Sequence, residues 1–156
     1  MGYTHYWKRS RPAARQEWAE YMGDIFSIVK HCTGEGIPLV DGMGDEGSLP
    51  VISSGEVAFN GVGEEAHETF MITATPNDRG GGFCKTAHKP YDLAVCLALI
   101  MAKKRFGPDI EVTSDGDVGE WQEAFATANL LFKVLGEFCT TFDANQKVST
   151  VTLEVN

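Results

Sequence analysis

The run "LAVCLALIMA", residues 93–102, decides the fold expected of this chain. Ten consecutive apolar residues are too few for a membrane span, which needs roughly 20. A segment that is apolar nearly all round is typical of a helix buried against other elements. The sequence therefore predicts a buried helix from Pro90 to about Phe106, followed by a "GPD" turn and a strand in "IEVTS", and it predicts no membrane partner.

Elements on both sides of this run predict the layers that cover it. "GYTHYWKR" alternates and suits a first strand, and a helix is expected from Pro12 to near Gly34. Short strands are expected at residues 57–60 and 69–75. Asp117 and Glu120 form a capping box before a third helix, with the stripe continuing to Leu135, and "KVSTVTLEV" predicts a last strand.

The resulting order is β-α-β-β-β-α-β-α-β. It predicts an α+β fold, a single two-layer domain spanning residues 1–156, with a mostly antiparallel sheet and about three helices packed on one face. The aromatic first strand is a candidate edge strand, through which a homo-oligomer could form.

The charge of the chain is unevenly distributed. The net charge is −9 over 156 residues, and residues 35–68, called here the acidic segment, contain eight acidic residues without a Lys or Arg. So acidic a chain is not expected to bind extended nucleic acid. With no apolar leader at the N-terminus and no CxxC spacing among its four cysteines, the chain is predicted to be cytoplasmic with reduced thiols. No cofactor is predicted.

Against this acidic background, "GGGFCKTAHKPYD", residues 80–92, contains only basic charges until its final residue. Lys85 and Lys89 supply positive charge, Thr86 and His88 supply hydrogen-bond donors, and the helix that follows adds its free N–H groups and dipole. This combination suits a phosphate or carboxylate, so these four residues are candidate ligand-binding residues. The alternative is an ordinary solvated loop before a buried helix.

The first strand supplies candidate partners for the rest of such a ligand. Its flat rings suit a nucleobase and its arginines could close a pocket, although core packing explains alternate aromatic residues equally well. Asp115 is a further candidate, whereas Asp117 is explained by its capping role. The candidates outside the cationic loop are Tyr3, His5, Tyr6, Trp7, Arg9, Arg11 and Asp115.

Two other motifs are weaker. Gly42, Gly44 and Gly47 match G-x-G-x-x-G, but acidic residues lie within the pattern and no helix follows it, so a mobile acidic loop is expected. Glu65 and His67 could share a face and hold a metal ion, but no further ligand completes the set. No metal site and no catalytic residue are assigned.

Four blocks together carry a resemblance: "MGYTHYW", "ETF" at residues 68–70, "FCKTAHKPYD" and "SDGDVGEWQEA". They resemble the recurring blocks of a family of small, largely uncharacterised bacteriophage and bacterial proteins. The resemblance spans essentially the whole chain and implies a phage-type protein in the cytoplasm of a bacterial host. It implies no activity, and the step from phage association to a counter-defence role is one of association alone.

Three hypotheses follow. The leading one is a binding protein, not an enzyme, that sequesters a small phosphorylated nucleotide, an immune second messenger among the candidates. The second is an inhibitor whose acidic segment mimics the charge of nucleic acid and occupies a basic groove on a host defence protein. The third is a metal-dependent phosphoesterase using His5 with Asp115 and Asp117.

Overall fold

In a computed structural model that describes residues 3–142 and 148–156, the chain forms three helices and eight strands, an α+β fold as predicted. The helices are α1 (Arg15–Gly34), α2 (Asp92–Phe106) and α3 (Val118–Phe132). The strands are β1 (Thr4–Arg9), β2 (Val51–Ile52), β3 (Glu56–Phe59), β4 (Phe70–Thr73), β5 (Gly81–Lys85), β6 (Ile110–Ser114), β7 (Gly136–Phe142) and β8 (Val148–Val155).

The larger sheet has five strands in the order β5-β1-β6-β8-β7, and all of its pairings are antiparallel. β1 lies inside this sheet, with His5 opposite Cys84 of β5 on one side and opposite Ser114 of β6 on the other. The prediction that β1 is an edge strand is therefore wrong. The alternation of aromatic residues indicates which face of β1 enters the core, but it is the same in edge and interior strands and so could not predict the position of β1 in the sheet.

Helix α2 is buried on all sides, as predicted from its apolar run. Ten of its residues are buried, and it packs on β6 and β8 and between α1 and α3. The helix begins at Asp92, two residues later than predicted, because Pro90 and Tyr91 form a turn before it.

Helix α3 begins at the predicted capping box and ends before the predicted point. Asp117 Oδ1 accepts a hydrogen bond from the backbone N–H of Glu120 at 2.9 Å. The helix ends at Phe132 because Lys133 adopts a left-handed conformation with φ of 55°. Leu135 therefore lies outside the helix, and β7, which was not predicted, follows directly.

A second, smaller sheet has the order β2-β3-β4, where a single sheet had been predicted. It shares the core with the larger sheet, since the rings of Trp7 and Phe70 lie 5.2 Å apart. Arg9 of β1 donates hydrogen bonds to the carbonyl oxygens of Thr73 and Ala74 at the end of β4. The two sheets are thus joined by both apolar and polar contacts.

The glycines before Phe83 allow β5 to lie against β1. A Cβ on Gly81 would collide with the carbonyl oxygen of Trp7, and a Cβ on Gly82 would lie 2.8 Å from its indole ring. Glycine in a strand commonly marks such a close approach. The stretch that the sequence presented as a loop is therefore partly a strand.

A transmembrane helix does not occur among the described residues: each helix there is too short or too polar to cross a bilayer.

Candidate functional site

A buried histidine connects three elements of the core. His5 is fully buried, its Nε2 lies 2.7 Å from Oδ1 of Asp92, and its Nδ1 lies 2.7 Å from Oγ of Ser114. The β1–β6 register places Ser114 opposite His5, and the first turn of α2 places Asp92 beneath it. We call His5, Thr86, Asp92, Cys96 and Ser114 the His5 network.

The partners of Ser114 fix which nitrogen of His5 carries the proton. Ser114 Oγ accepts hydrogen bonds from the backbone N–H of Gly116 at 2.9 Å and from Trp121 Nε1 at 3.2 Å. Because a hydroxyl oxygen has two lone pairs, the Ser114 hydroxyl must donate its own proton to Nδ1 of His5. A neutral His5 consequently carries its proton on Nε2 and donates it to Asp92.

Asp92 is the negative centre of this network. Its carboxylate accepts from His5 Nε2, from the Thr86 hydroxyl at 2.6 Å and from the Cys96 thiol at 3.6 Å. Burial alone would raise the pKa of Asp92, but the hydrogen bond and attraction of His5, with the Thr86 and Cys96 hydrogen bonds, lower it below its usual value. Asp92 is therefore held in its ionised form.

The network borders a cavity of about 230 Å³, which we call the α2-start cavity. Asp92, whose side chain is 17% exposed, and Cys96 form part of its wall, and Lys89 lines it from the preceding loop. Glu120 and Glu123 of α3 complete the polar lining. The cavity thus presents both cationic and anionic groups to anything bound in it.

The loop that forms one wall of the cavity has an unusual backbone. Ala87 and His88 both have positive φ values, 51° and 57°. A left-handed conformation costs a residue other than glycine about 1–2 kcal/mol, and such residues are concentrated at functional sites. The His88 ring stacks on Tyr3 with centroids 3.7 Å apart, and its Nδ1 lies 3.7 Å from Glu120 Oε2. Stacking on a buried ring therefore helps to hold the strained loop in place.

Five of the predicted ligand-binding residues come together here: Tyr3, His5, Thr86, His88 and Lys89. Only His88 and Lys89 line the cavity. Tyr3 is buried beneath His88, and the polar atoms of His5 and Thr86 are already bonded within the network. Burial also raises the pKa of the Tyr3 hydroxyl, with Asp92 as the next cause.

The other predicted ligand-binding residues do not line this cavity, although the sequence predicted that the first strand and the cationic loop form one pocket. Tyr6 and Lys85 are exposed on the sheet face opposite His5, because side chains alternate along a strand. Trp7 and Arg9 are buried, and Arg9 stacks over the Phe106 ring.

Arg11 and Asp115 have structural partners. Arg11 forms an ion pair with Asp109 at 2.7 Å, and Asp115 Oδ2 accepts from the backbone N–H of Thr4 at 3.1 Å. Asp117, the other carboxylate of the phosphoesterase hypothesis, caps α3. A metal site made of His5, Asp115 and Asp117 is not assembled.

Sequence reasoning missed Asp92, Cys96, Ser114 and Trp121 as members of the site. Asp92 was noted only as the last residue of the cationic stretch, and Cys96 as a small apolar residue within the helix. Only the packing of α2 against β1 brings them to His5. An acidic residue at the head of an otherwise apolar helix was the sequence signal that could have identified Asp92.

The order Ser114, His5, Asp92 is that of a catalytic triad, yet its details do not favour nucleophilic attack by the serine. The two hydrogen bonds that Ser114 Oγ accepts withdraw electron density from the oxygen that would attack. Burial, followed by the charge of Asp92, raises the pKa of Cys96 well above its usual value, so this thiol is held protonated. Neither the Ser114 hydroxyl nor the Cys96 thiol is therefore an activated nucleophile in this arrangement.

The acidic segment is organised by turns and hydrogen bonds. Asn60 donates to the carbonyl oxygens of Gly42 and His67, and the backbone N–H of Gly63 donates to the carbonyl oxygen of Gly44. Glu64 and Glu65 are exposed in a short 3-10 helical turn. The loops containing the three motif glycines and the two glutamates therefore lie side by side.

Comparison with known proteins gives no match: no family model, no curated protein and no solved structure is similar to this chain. The resemblance carried by the sequence blocks stays a prediction.

Proposed function

We propose that the chain binds a small phosphorylated nucleotide in the α2-start cavity. The observation that carries the proposal is that Lys89 and His88 line the same cavity as the Asp92 carboxylate. Lys89 would neutralise part of the phosphate charge, while Asp92 and Glu123 would accept hydrogen bonds from hydroxyl or amino groups. A phosphorylated nucleoside carries both kinds of group.

The size of the cavity suggests how such a ligand would lie. A volume of about 230 Å³ is below the roughly 300–1,000 Å³ of most ligand pockets, so only the phosphate and sugar would be enclosed. The base would remain outside, against His88. One face of the His88 ring is covered by Tyr3, while its side chain is 60% exposed, which leaves the other face for stacking. His88 thus replaces Tyr6 and Trp7 in the proposed stacking role.

The proposed role is capture without turnover. Asp92 is held by three hydrogen bonds and the Cys96 thiol is protonated, so the groups at the cavity wall are arranged to recognise a ligand rather than to attack it. A chain that holds a nucleotide without converting it removes that nucleotide from solution. Sequestration of a nucleotide signal is the biological form of this proposal.

The proposal is tested with Lys89→Ala, and Lys85→Ala serves as the matched control. Both substitutions remove a lysine from the same short segment, but Lys85 lies on the opposite face of the sheet. Linear and cyclic nucleotides are screened by thermal shift, and affinities are then measured by calorimetry. We expect one nucleotide to raise Tm and Lys89→Ala to weaken its binding about tenfold, or about 1.4 kcal/mol.

Two results would overturn the proposal. One is that no nucleotide raises Tm, with native mass spectrometry finding none retained by protein purified from its host. The other is that Lys89→Ala and Lys85→Ala bind the nucleotide equally well.

The second candidate function is inhibition of a basic host protein. It is favoured by the adjacent loops of the acidic segment, which expose Asp45, Glu46, Glu64 and Glu65. Charge steering would make such an association fast and sensitive to salt. Glu64→Gln combined with Glu65→Gln should then slow association with a basic partner captured by pull-down, and an unchanged on-rate would exclude this surface.

A further inference from the structure

We propose that His5, Asp92 and Cys96 bind a divalent transition-metal ion, for which zinc is the best match. The three side chains come from β1 and from two successive turns of α2. One ligand atom from each lies within 4.8 Å of the others. The inference does not depend on whether the cavity binds a nucleotide.

The separations of the sulfur atom fit a tetrahedral ion. Cys96 Sγ lies 3.6 Å from His5 Nε2 and 3.6 Å from Asp92 Oδ2. Zinc bonds of about 2.3 Å to sulfur and about 2.0–2.1 Å to nitrogen or oxygen, at tetrahedral angles, separate the sulfur from each of the other two ligand atoms by about 3.6 Å. Two of the three ligand-to-ligand distances therefore already have the required length.

The distance from His5 Nε2 to the other oxygen of Asp92, Oδ1, indicates which oxygen would coordinate the ion. Asp92 Oδ1 lies 2.7 Å from His5 Nε2, too close for both atoms to bind one ion, and it also accepts from the Thr86 hydroxyl at 2.6 Å. Asp92 would therefore coordinate through Oδ2, and Thr86 would keep Oδ1 as its partner. Hydrogen bonds of this kind commonly orient a metal-binding carboxylate.

The ligand types and the position of the cavity define the class of site. Thiolate, imidazole and carboxylate together are typical zinc ligands, and three protein ligands leave one position of a tetrahedral ion open. Asp92 and Cys96 both line the α2-start cavity, so this fourth position would face it. Water or an oxygen of a bound anion would occupy that position.

Metal binding requires two proton movements. The Cys96 thiol loses its proton to solvent, and the proton of His5 moves from Nε2 to Nδ1, so that Nε2 has a lone pair for the ion. The Ser114 hydroxyl, which donates to Nδ1 in the metal-free state, must then turn and accept. The 3.2 Å hydrogen bond from Trp121 is the longest at Ser114 and is the one expected to weaken.

Cobalt(II) titration of the chelator-treated full chain tests the proposal, because a tetrahedral cobalt thiolate site absorbs through both ligand-field and sulfur-to-cobalt charge-transfer bands. We expect both bands at one equivalent of cobalt and their loss when zinc is added. Cys96→Ser should abolish the charge-transfer band. Cys84→Ser is the matched control, since Cys84 is also buried but donates to the carbonyl oxygen of Glu68 instead.

A complementary variant guards against misfolding of Cys96→Ser. With Cys32→Ala, Cys84→Ala and Cys139→Ser combined, Cys96 is the only remaining cysteine, and we expect the charge-transfer band to persist. Asp92→Asn should weaken cobalt binding at least about tenfold. The absence of bands in the unmodified chain, or an unchanged band in folded Cys96→Ser, would overturn the proposal. No nucleotide is present, so this result is separate from the test of nucleotide binding.

Discussion

His5 Nε2 donates a hydrogen bond of 2.7 Å to Asp92 Oδ1, across 87 positions of the chain. This contact joins the interior strand β1 to the first turn of the buried helix α2. It also determines the state of each partner, because Asp92 is kept ionised and the proton of His5 is kept on Nε2. Both the stability of the core and the chemistry of the adjacent cavity therefore depend on this pair.

Replacing Asp92 with Asn should lower the free energy of unfolding by about 2 kcal/mol. The substitution keeps the shape of the side chain but removes the charge that strengthens the hydrogen bonds from His5 and Thr86. Urea unfolding measures the change. Asp78→Asn, on an exposed residue, is the control and should change stability by no more than about 0.5 kcal/mol.

Comparison of the unmodified chain with Asp92→Asn also gives a prediction for the pH dependence of stability. The pKa of Asp92 in the folded chain is lower than its usual value of 3.8. The contribution of the ionised carboxylate to the free energy of unfolding is therefore complete above pH 3.8 and is lost as the pH falls through the lower pKa of the folded state. The stability deficit of Asp92→Asn should therefore be steady from about pH 5 upward and shrink below about pH 4. A deficit that grows on acidification would contradict the assignment.

Replacing Arg105, the ion-pair partner of Asp24, should lower the free energy of unfolding unless Asp24 is replaced as well. Arg105 of α2 binds Asp24 of α1 through Nε at 2.6 Å and through its terminal nitrogen at 2.9 Å. The hydrogen bonds with Asp24 raise the pKa of Arg105, although burial opposes this. Because Asp24 is 6% exposed, Arg105→Met would leave a buried charge uncompensated and cost about 3 kcal/mol.

The double variant Asp24→Leu with Arg105→Met should recover most of this loss, as measured by urea unfolding. Lys104→Met, at an exposed neighbouring position, controls for the loss of a positive charge. If the double variant is no more stable than Arg105→Met alone, the ion pair is not the cause of the loss.

Replacing alanine with glycine should stabilise the chain at one position and destabilise it at another. Ala87 has φ of 51°, so Ala87→Gly relieves a left-handed strain and should raise the free energy of unfolding by about 0.5–1 kcal/mol. The same change at exposed Ala126 within α3 should lower it by about 1 kcal/mol. Thermal unfolding of both variants compares the two signs directly, and a destabilising Ala87→Gly would mean that the methyl group contributes packing worth more than the strain.

The elements whose signals are local were predictable from sequence. The apolar run of α2, the capping box of α3 and the alternation of β1 each depend on residues near one another, and each appears in the structure. Strand β5 was missed because glycines weaken a strand pattern, and their reason lies in the indole of Trp7 across the sheet. β7 was missed because the apolar stripe of α3 continued past Lys133, whose left-handed conformation the sequence did not indicate.

The candidate site could be only partly predicted. The cationic loop borders a cavity through His88 and Lys89, and its role as a binding loop stays a prediction. The bonding of Thr86 and His5 to Asp92 was not predictable, because that geometry depends on the β1–β6 register and on the packing of α2. The pattern of a single segment carries no information about such a long-range contact.

The interior position of β1 affects the order in which the chain can fold. Its two neighbours in the sheet are β5 and β6, and the His5–Ser114 contact spans 109 positions. On a ribosome, the first strand would emerge long before either neighbour exists, exposing the apolar face that carries Tyr3 and Trp7. Contacts so distant in sequence slow folding, and exposed strands are prone to aggregate. The apolar face of β1 therefore lacks its sheet neighbours during synthesis until both β5 and β6 have emerged, which concerns how this protein is made rather than what it does.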